Sequence, residues 1–174
     1  MRVLSLFSGI GAFEKALERL GVSYELVNYC EIDKFASKAY SLIHNIPEEK
    51  NLKDVSTVKT NKLKDIDLIT YGFPCQDLSL AGKQKGFEDD NGNRTRSGLF
   101  FEAFRIIDKT RPKIAIAENV KALTCQKFDN EFKTVLGSLN RIGYNNYFQV
   151  LNAKDYGIPQ NRESIYSIYK ARYR

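Results

Sequence analysis

Apolar runs of strand length alternate along the chain with segments whose apolar positions recur at helical spacing. "VLSLF" reads as a buried strand that stops at "SGIG", and "AFEKALERL" then sets Phe13, Ala16, Leu17 and Leu20 on one helix face. "YELVNYC" predicts a second strand, and the helix after it carries Ala36, Ala39, Tyr40 and Ile43 along one side. A weaker strand is predicted in "NLKDVS" and a clear one in "DLITYGF". After a long loop, Phe100, Ala103, Phe104 and Ile107 align on a helix, the strand "KIAIA" follows, and Phe132, Val135, Leu136 and Leu139 mark another helix. The chain closes with "NYFQVLNA" and "SIYSIYKA", joined only by "KDYGIPQNRE", a connection short enough to predict an antiparallel pair.

Strands that alternate with amphipathic helices place those helices on both faces of a mainly parallel sheet. The expected fold is therefore doubly wound α/β, mainly parallel, with an antiparallel last strand. A length of 174 residues suits one domain, 1–174, and neither an internal repeat nor an interdomain linker interrupts it.

Composition changes this picture little. Hydrophobic residues at 43% and charged residues at 28% are ordinary for a globular protein. The apolar start "VLSLF" is far shorter than the roughly 18 residues of a membrane span and is followed by a glycine turn, so a cytoplasmic protein with no membrane partner is expected. Three cysteines, Cys30, Cys75 and Cys125, form no CxxC pair, and with the single histidine His44 they cannot make the usual zinc set. No metal is expected, and Cys30 and Cys125 read as small buried hydrophobes. A net charge of +6 favours a polyanionic partner without identifying one, because the basic residues are scattered.

In open α/β sheets ligands bind beyond the carboxyl ends of the strands. The residues there are "SGIG" after the first strand, Glu31 after the second, Asp54 after the weak one, Cys75 in "GFPCQDLS" and Glu118 at the end of "IAIAEN". Gly9 and Gly11 allow a tight turn, and Glu31 follows Gly9 by 22 residues, near the offset of about 20 for a ribose-binding acid. That pairing suggests a nucleoside-containing cofactor. The absent third glycine and absent GK[ST] argue against a dinucleotide or a nucleoside triphosphate. Pro74 restricts the backbone presenting Cys75. The twenty residues from Ser79 to Gly98 carry no hydrophobic periodicity, which predicts a lid or binding loop. Four apolar residues before Glu118 predict partial burial of a carboxyl suited to proton donation.

These residues together resemble the cytosine-5 DNA methyltransferases. "LFSGIGAFEKAL" resembles the family's cofactor motif, "GFPCQDLS" its nucleophile motif and "ENV" its acid motif. "KQKGFEDDNGNRTRSGLFFEAFRII" resembles its catalytic loop and following helix, and "NAKDYGIPQNRES" the segment before the last strand. The resemblance implies an S-adenosylmethionine-binding catalytic domain with a Rossmann-like fold, incomplete relative to the family. It implies duplex DNA with a flipped cytosine as substrate, with Cys75 attacking carbon 6 and Glu118 and Arg162 completing the catalytic set. For the cofactor it implies Phe7, Gly9, Ile10, Gly11 and Ala12 along the methionine and adenosine wall and Glu31 at the ribose. Ile32 would lie on adenine, Asp54 and Val55 at the adenine edge, and Pro74 and Leu99 would close the pocket.

Two departures are visible. Ala12 stands where the family commonly has glycine, and Ser164 stands where it has a second arginine, whose bidentate contact a hydroxyl cannot reproduce. The family's target-recognition domain and closing motif have no counterpart in the 174 residues, which implies a complementing chain that carries them. The alternatives are a catalytically silent domain that retains cofactor or nucleic-acid binding, and a tRNA cytosine-5 methyltransferase. Restriction-modification and phage self-protection both suit a bacterial or phage-encoded enzyme of this kind.

Overall fold

A computed structural model describes residues 1–74, 87, 95 and 97–172. Among the described residues six strands form one sheet in the order β2-β1-β3-β4-β6-β5. They are β1 (Arg2–Leu6), β2 (Glu25–Cys30), β3 (Leu68–Tyr71), β4 (Ile114–Val120), β5 (Tyr144–Asn152) and β6 (Glu163–Ala171). The helices are α1 (Ala12–Arg19), α2 (Lys34–His44), α3 (Phe100–Thr110) and α4 (Asp129–Arg141). The strands β1 to β4 are mutually parallel, whereas β6 runs antiparallel to both β4 and β5. The doubly wound reading and its antiparallel end are thus both present.

Each central strand is apolar on both sides because both faces are covered. Leu4, Leu6, Ile69, Tyr71, Ala115 and Ala117 form one core with Phe100, Ala103, Ile106 and Ile107 of α3 and Val135 and Leu139 of α4. Val3 and Leu68 face the opposite way, into a smaller core with Tyr29 and Tyr40. Helix α2 starts where Asp33 Oδ1 accepts the amides of Phe35 and Ala36 at 2.9 and 2.8 Å. It ends at Asn45, in the left-handed region at φ 51°.

The pairing partners of β1 place the site. Its neighbours are β2 on one side and β3 on the other, with Leu6 level with both Cys30 and Tyr71. The connections leave the sheet in opposite directions here, and a crevice opens beyond the strand ends.

Four expectations need correction. "NLKDVS" forms no strand: Asn51 makes a single bridge to Tyr29, and Asp54 caps a 3-10 turn at Val55–Thr57. Competing Asx hydrogen bonding explains the difference, since Asp54 Oδ1 accepts from the Ser56 amide at 2.9 Å. Glu118 lies within β4 rather than past its end, level with Tyr166 of β6. Two helix faces differ: in α1 the buried residue is Glu14 and Leu20, 76% exposed, lies past the helix end, and in α2 Ser37 and Tyr40 are buried while Ile43 is 52% exposed. Cys125 is exposed, between two short 3-10 turns, whereas Cys30 is buried as expected.

Candidate active site

Phe7 leaves β1 with φ 53°, a left-handed conformation unusual for a bulky residue, and turns the chain into Ser8, Gly9, Ile10 and Gly11. Gly9 and Gly11 have φ 55° and 85°, which glycine adopts without strain. The Ser8 amide donates to the Cys30 carbonyl at 3.0 Å and the Gly11 amide to the Ser8 carbonyl at 2.9 Å. Glu31 Oε2 accepts the Gly9 amide at 2.8 Å, and its Oε1 accepts the Asp33 amide at 2.8 Å. The 22-residue spacing of the sequence thus corresponds to a direct bond between the glycine turn and the acid.

Asn51, which the sequence reading passed over, completes this framework. Its Oδ1 accepts from the Glu31 amide at 3.0 Å and the Lys53 amide at 2.7 Å, and its Nδ2 donates to the Glu31 carbonyl at 2.9 Å. One side chain therefore ties the end of β2 to the segment that presents Asp54. The signal was an asparagine beside the apolar run, ambiguous because asparagine marks any turn.

Two cavities meet in the crevice. The first, of about 270 Å³, is lined among the described residues by Phe7, Cys30, Glu31, Ile32, Lys53, Asp54, Val55, Gly72, Pro74 and Leu99. The second, of about 380 Å³, is lined by Phe7, Ser8, Ala12, Phe13, Ala16, Gly72, Glu118, Arg162 and Tyr166. Phe7 and Gly72 belong to both, so the cavities are contiguous. Gly72 divides them closely: a Cβ there would stand 3.6 Å from Glu118 Oε2.

Seven expected cofactor residues, Phe7, Glu31, Ile32, Asp54, Val55, Pro74 and Leu99, share the first cavity. Ala12 lines the second. Gly9, Ile10 and Gly11 line neither, and act through backbone bonds behind the wall. Glu118 and Arg162 share the second cavity, with Arg162 Nη2 3.8 Å from Glu118 Oε1. Cys75 lies outside the described residues, as does most of the segment expected to form a lid.

The backbone leading to Cys75 is nevertheless well held. Asn119 is 3% exposed, and its Nδ2 donates to the Phe73 carbonyl at 3.0 Å. Ser97 Oγ donates to the Pro74 carbonyl at 2.9 Å. The middle residue of "ENV" and the serine before α3 therefore anchor the two peptides that precede position 75. Ser164 is buried in β6, level with Val120 and Leu151, and lines a third cavity with Arg162 and Tyr166.

Charges at the site follow burial. Burial pushes the Cys30 thiol up to about 12, with the carboxylates of Asp54 and Glu31 adding to the effect. The Tyr166 hydroxyl is also raised, first by burial and then by the Glu118 charge, with Arg162 opposing. Among the described residues no group of histidines, cysteines and acids is arranged to hold a metal ion, and no helix is long and apolar enough to cross a membrane.

A family model described as C-5 cytosine-specific DNA methylase matches residues 1–171. The chain belongs to that family. It is 45% identical over 168 residues to the orphan methyltransferase M.SPRI of Bacillus phage SPR, covering 97% of this chain and 37% of that protein. It is 40% identical to the type II methyltransferase M.HhaI of Haemophilus parahaemolyticus, covering 97% of this chain and 48% of the relative. The chain thus spans between a third and a half of the length of these relatives. Among solved structures, a putative DNA modification methyltransferase from an Escherichia coli prophage superposes with a TM-score of 0.76 at 25% identity, over 98% of this chain and 47% of that one. Schizosaccharomyces pombe Dnmt2 methyltransferase shares the fold, with a TM-score of 0.73 at 23% identity over 100% of this chain and 50% of its own.

Proposed function

We propose that this chain carries the cofactor-binding and nucleophilic part of an enzyme that methylates carbon 5 of cytosine in DNA, with S-adenosylmethionine as donor. One observation carries the reading: two cavities meet at Phe7 and Gly72, with Glu31 and Asp54 in one and Glu118 in the other. A nucleoside and a pyrimidine brought to the same crevice would meet at that junction.

The first cavity fits the cofactor chemically. Phe7, Ile32, Val55, Pro74 and Leu99 supply apolar walls for adenine, and Asp54 supplies an acceptor at its edge. Each Glu31 oxygen already takes one amide, and a carboxylate oxygen has a second lone pair free for a ribose hydroxyl. Gly9, Ile10, Gly11 and Ala12 would support the methionine portion. When bound, S-adenosylmethionine supplies an electrophilic methyl on a sulfonium sulfur.

The remaining work falls to the chain's own side chains. A cytosine stacked in a duplex is closed on both faces, so it must be flipped out before a thiolate can reach it. The sulfur of Cys75 forms a bond to carbon 6, and the displaced electron pair makes carbon 5 nucleophilic. Glu118 holds the base at its ring nitrogen and amino edge and donates the hydrogen bond or proton that balances the developing charge. Arg162 keeps a positive charge beside that carboxyl. After methylation, loss of the proton on carbon 5 and breaking of the sulfur–carbon bond restore the ring and free Cys75.

The test is transfer of labelled methyl from S-adenosylmethionine to duplex DNA or to tRNA, with Cys75→Ser as control. The assay is run with the chain alone and mixed with a polypeptide carrying the remainder of the phage SPR relative. Label in DNA that disappears with Cys75→Ser supports the reading. Cofactor binding without transfer in either arm identifies a silent domain, and label in tRNA alone moves the substrate to RNA.

A further inference from the structure

His44 is the chain's single histidine, and it lies at the last turn of α2 with its side chain 2% exposed. Its ring sits against the glycine turn. Nε2 is 3.0 Å from the Ile10 carbonyl and Nδ1 is 3.3 Å from Glu18 Oε1, while the ring lies 4.8 Å from that of Tyr40. A Cβ on Gly11 would come within 2.1 Å of Nε2, so the imidazole fills the space that glycine leaves open.

Both partners are acceptors only. A carbonyl and a carboxylate each require an N–H, so the ring makes both bonds only when it carries two protons. A neutral ring makes one of the two bonds, according to which nitrogen carries the proton. The consequence for the turn is mechanical: Glu31 pulls on the Gly9 amide from one side, and His44 holds the Ile10 carbonyl, the next residue, from the other. On the reading that this turn supports S-adenosylmethionine, we propose that His44 is a positioning residue that sets the turn for cofactor binding by holding the Ile10 carbonyl, with Glu18 steadying the ring from its other side.

The charged surroundings point the same way. On α1, Glu18 is shared with Lys15, which lies 2.7 Å from its other oxygen, and Glu14 is buried with neither oxygen hydrogen-bonded. Tyr24 just before β2 faces Glu18 and Glu14, Tyr40 of α2 faces Glu14, and burial first, then those charges, raises both hydroxyls. The hydrogen bond from Lys15 and then that from His44 hold the Glu18 carboxyl below its usual range. The groups around the ring are thus two acids, a lysine already engaged, and phenols that stay neutral.

The test uses the full chain and four proteins: wild type, His44→Phe, His44→Gln and Glu18→Gln. Phenylalanine fills the space without donating, glutamine restores one donor toward Ile10, and Glu18→Gln removes the charge shared by Lys15 and His44 while keeping an acceptor oxygen. Calorimetry with S-adenosylmethionine should show binding weakened about tenfold in His44→Phe and recovered to within about threefold in His44→Gln. Glu18→Gln, which keeps an oxygen beside Nδ1, should leave affinity within about threefold of wild type. Without cofactor, amide exchange at Gly9 and Gly11 should quicken in His44→Phe. Unchanged exchange in His44→Phe, or no recovery of affinity in His44→Gln, overturns the proposal. If wild type binds no S-adenosylmethionine, the cofactor reading fails, and the exchange measurement still decides the role of His44 in the turn.

Discussion

At the β2 side of the crevice, Glu31 accepts two amides at 2.8 Å, Asn51 makes three bonds of 2.7 to 3.0 Å to the backbone around it, and His44 closes the turn from behind. At the β4 side, the Glu118 carboxyl has one charged neighbour among the described residues, Arg162 at 3.8 Å, whose side chain is 61% exposed. A ligand of constant outline is met well by a preformed site, because no ordering is left to be done on binding. A base that arrives from a duplex must be enclosed after it enters, and catalytic hydrogen bonds are commonly long until it does. The contrast therefore suits the proposed function, in which a standing cofactor pocket lies beside a base pocket that tightens on its substrate.

The largest expected effect separates the two sides. Cys75→Ser should reduce methyl transfer roughly 10⁴-fold or more while leaving S-adenosylmethionine affinity within about twofold, measured by label incorporation and calorimetry on the same preparation. A matching loss of cofactor binding would break the division between the sides. Next in size, Gly11→Ala should destabilise the fold by about 2 to 4 kcal/mol, read from urea unfolding. The residue needs φ 85°, and the added methyl meets the His44 ring, with Tyr40 close behind it at 2.9 Å. Gly9→Ala carries the backbone strain without the clash, since nothing lies within 4 Å, and should cost about 1 to 2 kcal/mol.

Legibility followed the same division. Every strong strand and all four helices were readable because hydrophobic period depends on local sequence, and the glycine turn and Glu31 were readable because their separation is fixed by one β–α–β unit. Asn51 was not, because its role comes from meeting β2 across a bridge that follows α2 in the chain. Glu118 was placed on the correct strand but in the wrong position, since pairing with β6 carries β4 three residues further than the apolar run "IAIA". Cys125 was misplaced because a cysteine's ordinary burial says nothing about a loop whose course is set by its neighbours.

Two substitutions sharpen the picture of the tight side. Glu31→Gln keeps an oxygen for one amide but removes the charge, so cofactor affinity should fall about 10- to 100-fold, the range for hydrogen bonds to a charged group. Asn51→Ala leaves the Glu31 and Lys53 amides without their acceptor and should cost about 1 to 3 kcal/mol of stability, with cofactor affinity falling less than in Glu31→Gln. Equal affinity losses would mean that the carboxylate matters only as part of the framework.

The smallest effect compares one thiol from each side. Cys30 ends β2 at 1% exposure, and burial pushes its thiol up to about 12, whereas Cys125 is exposed beyond β4. Only thiolate reacts with alkylating reagents, so at about pH 8 native protein should be modified at Cys125 and not at Cys30, with the sites mapped by mass spectrometry. The linkage has a definite sign. An unfolded thiol ionises near about 8.5, so the Cys30 contribution to stability is complete below that pH and is lost as pH rises toward about 12. Alkylation of Cys30 without unfolding would show that the lining of the first cavity opens around it, and the preformed character assigned to this side would no longer hold.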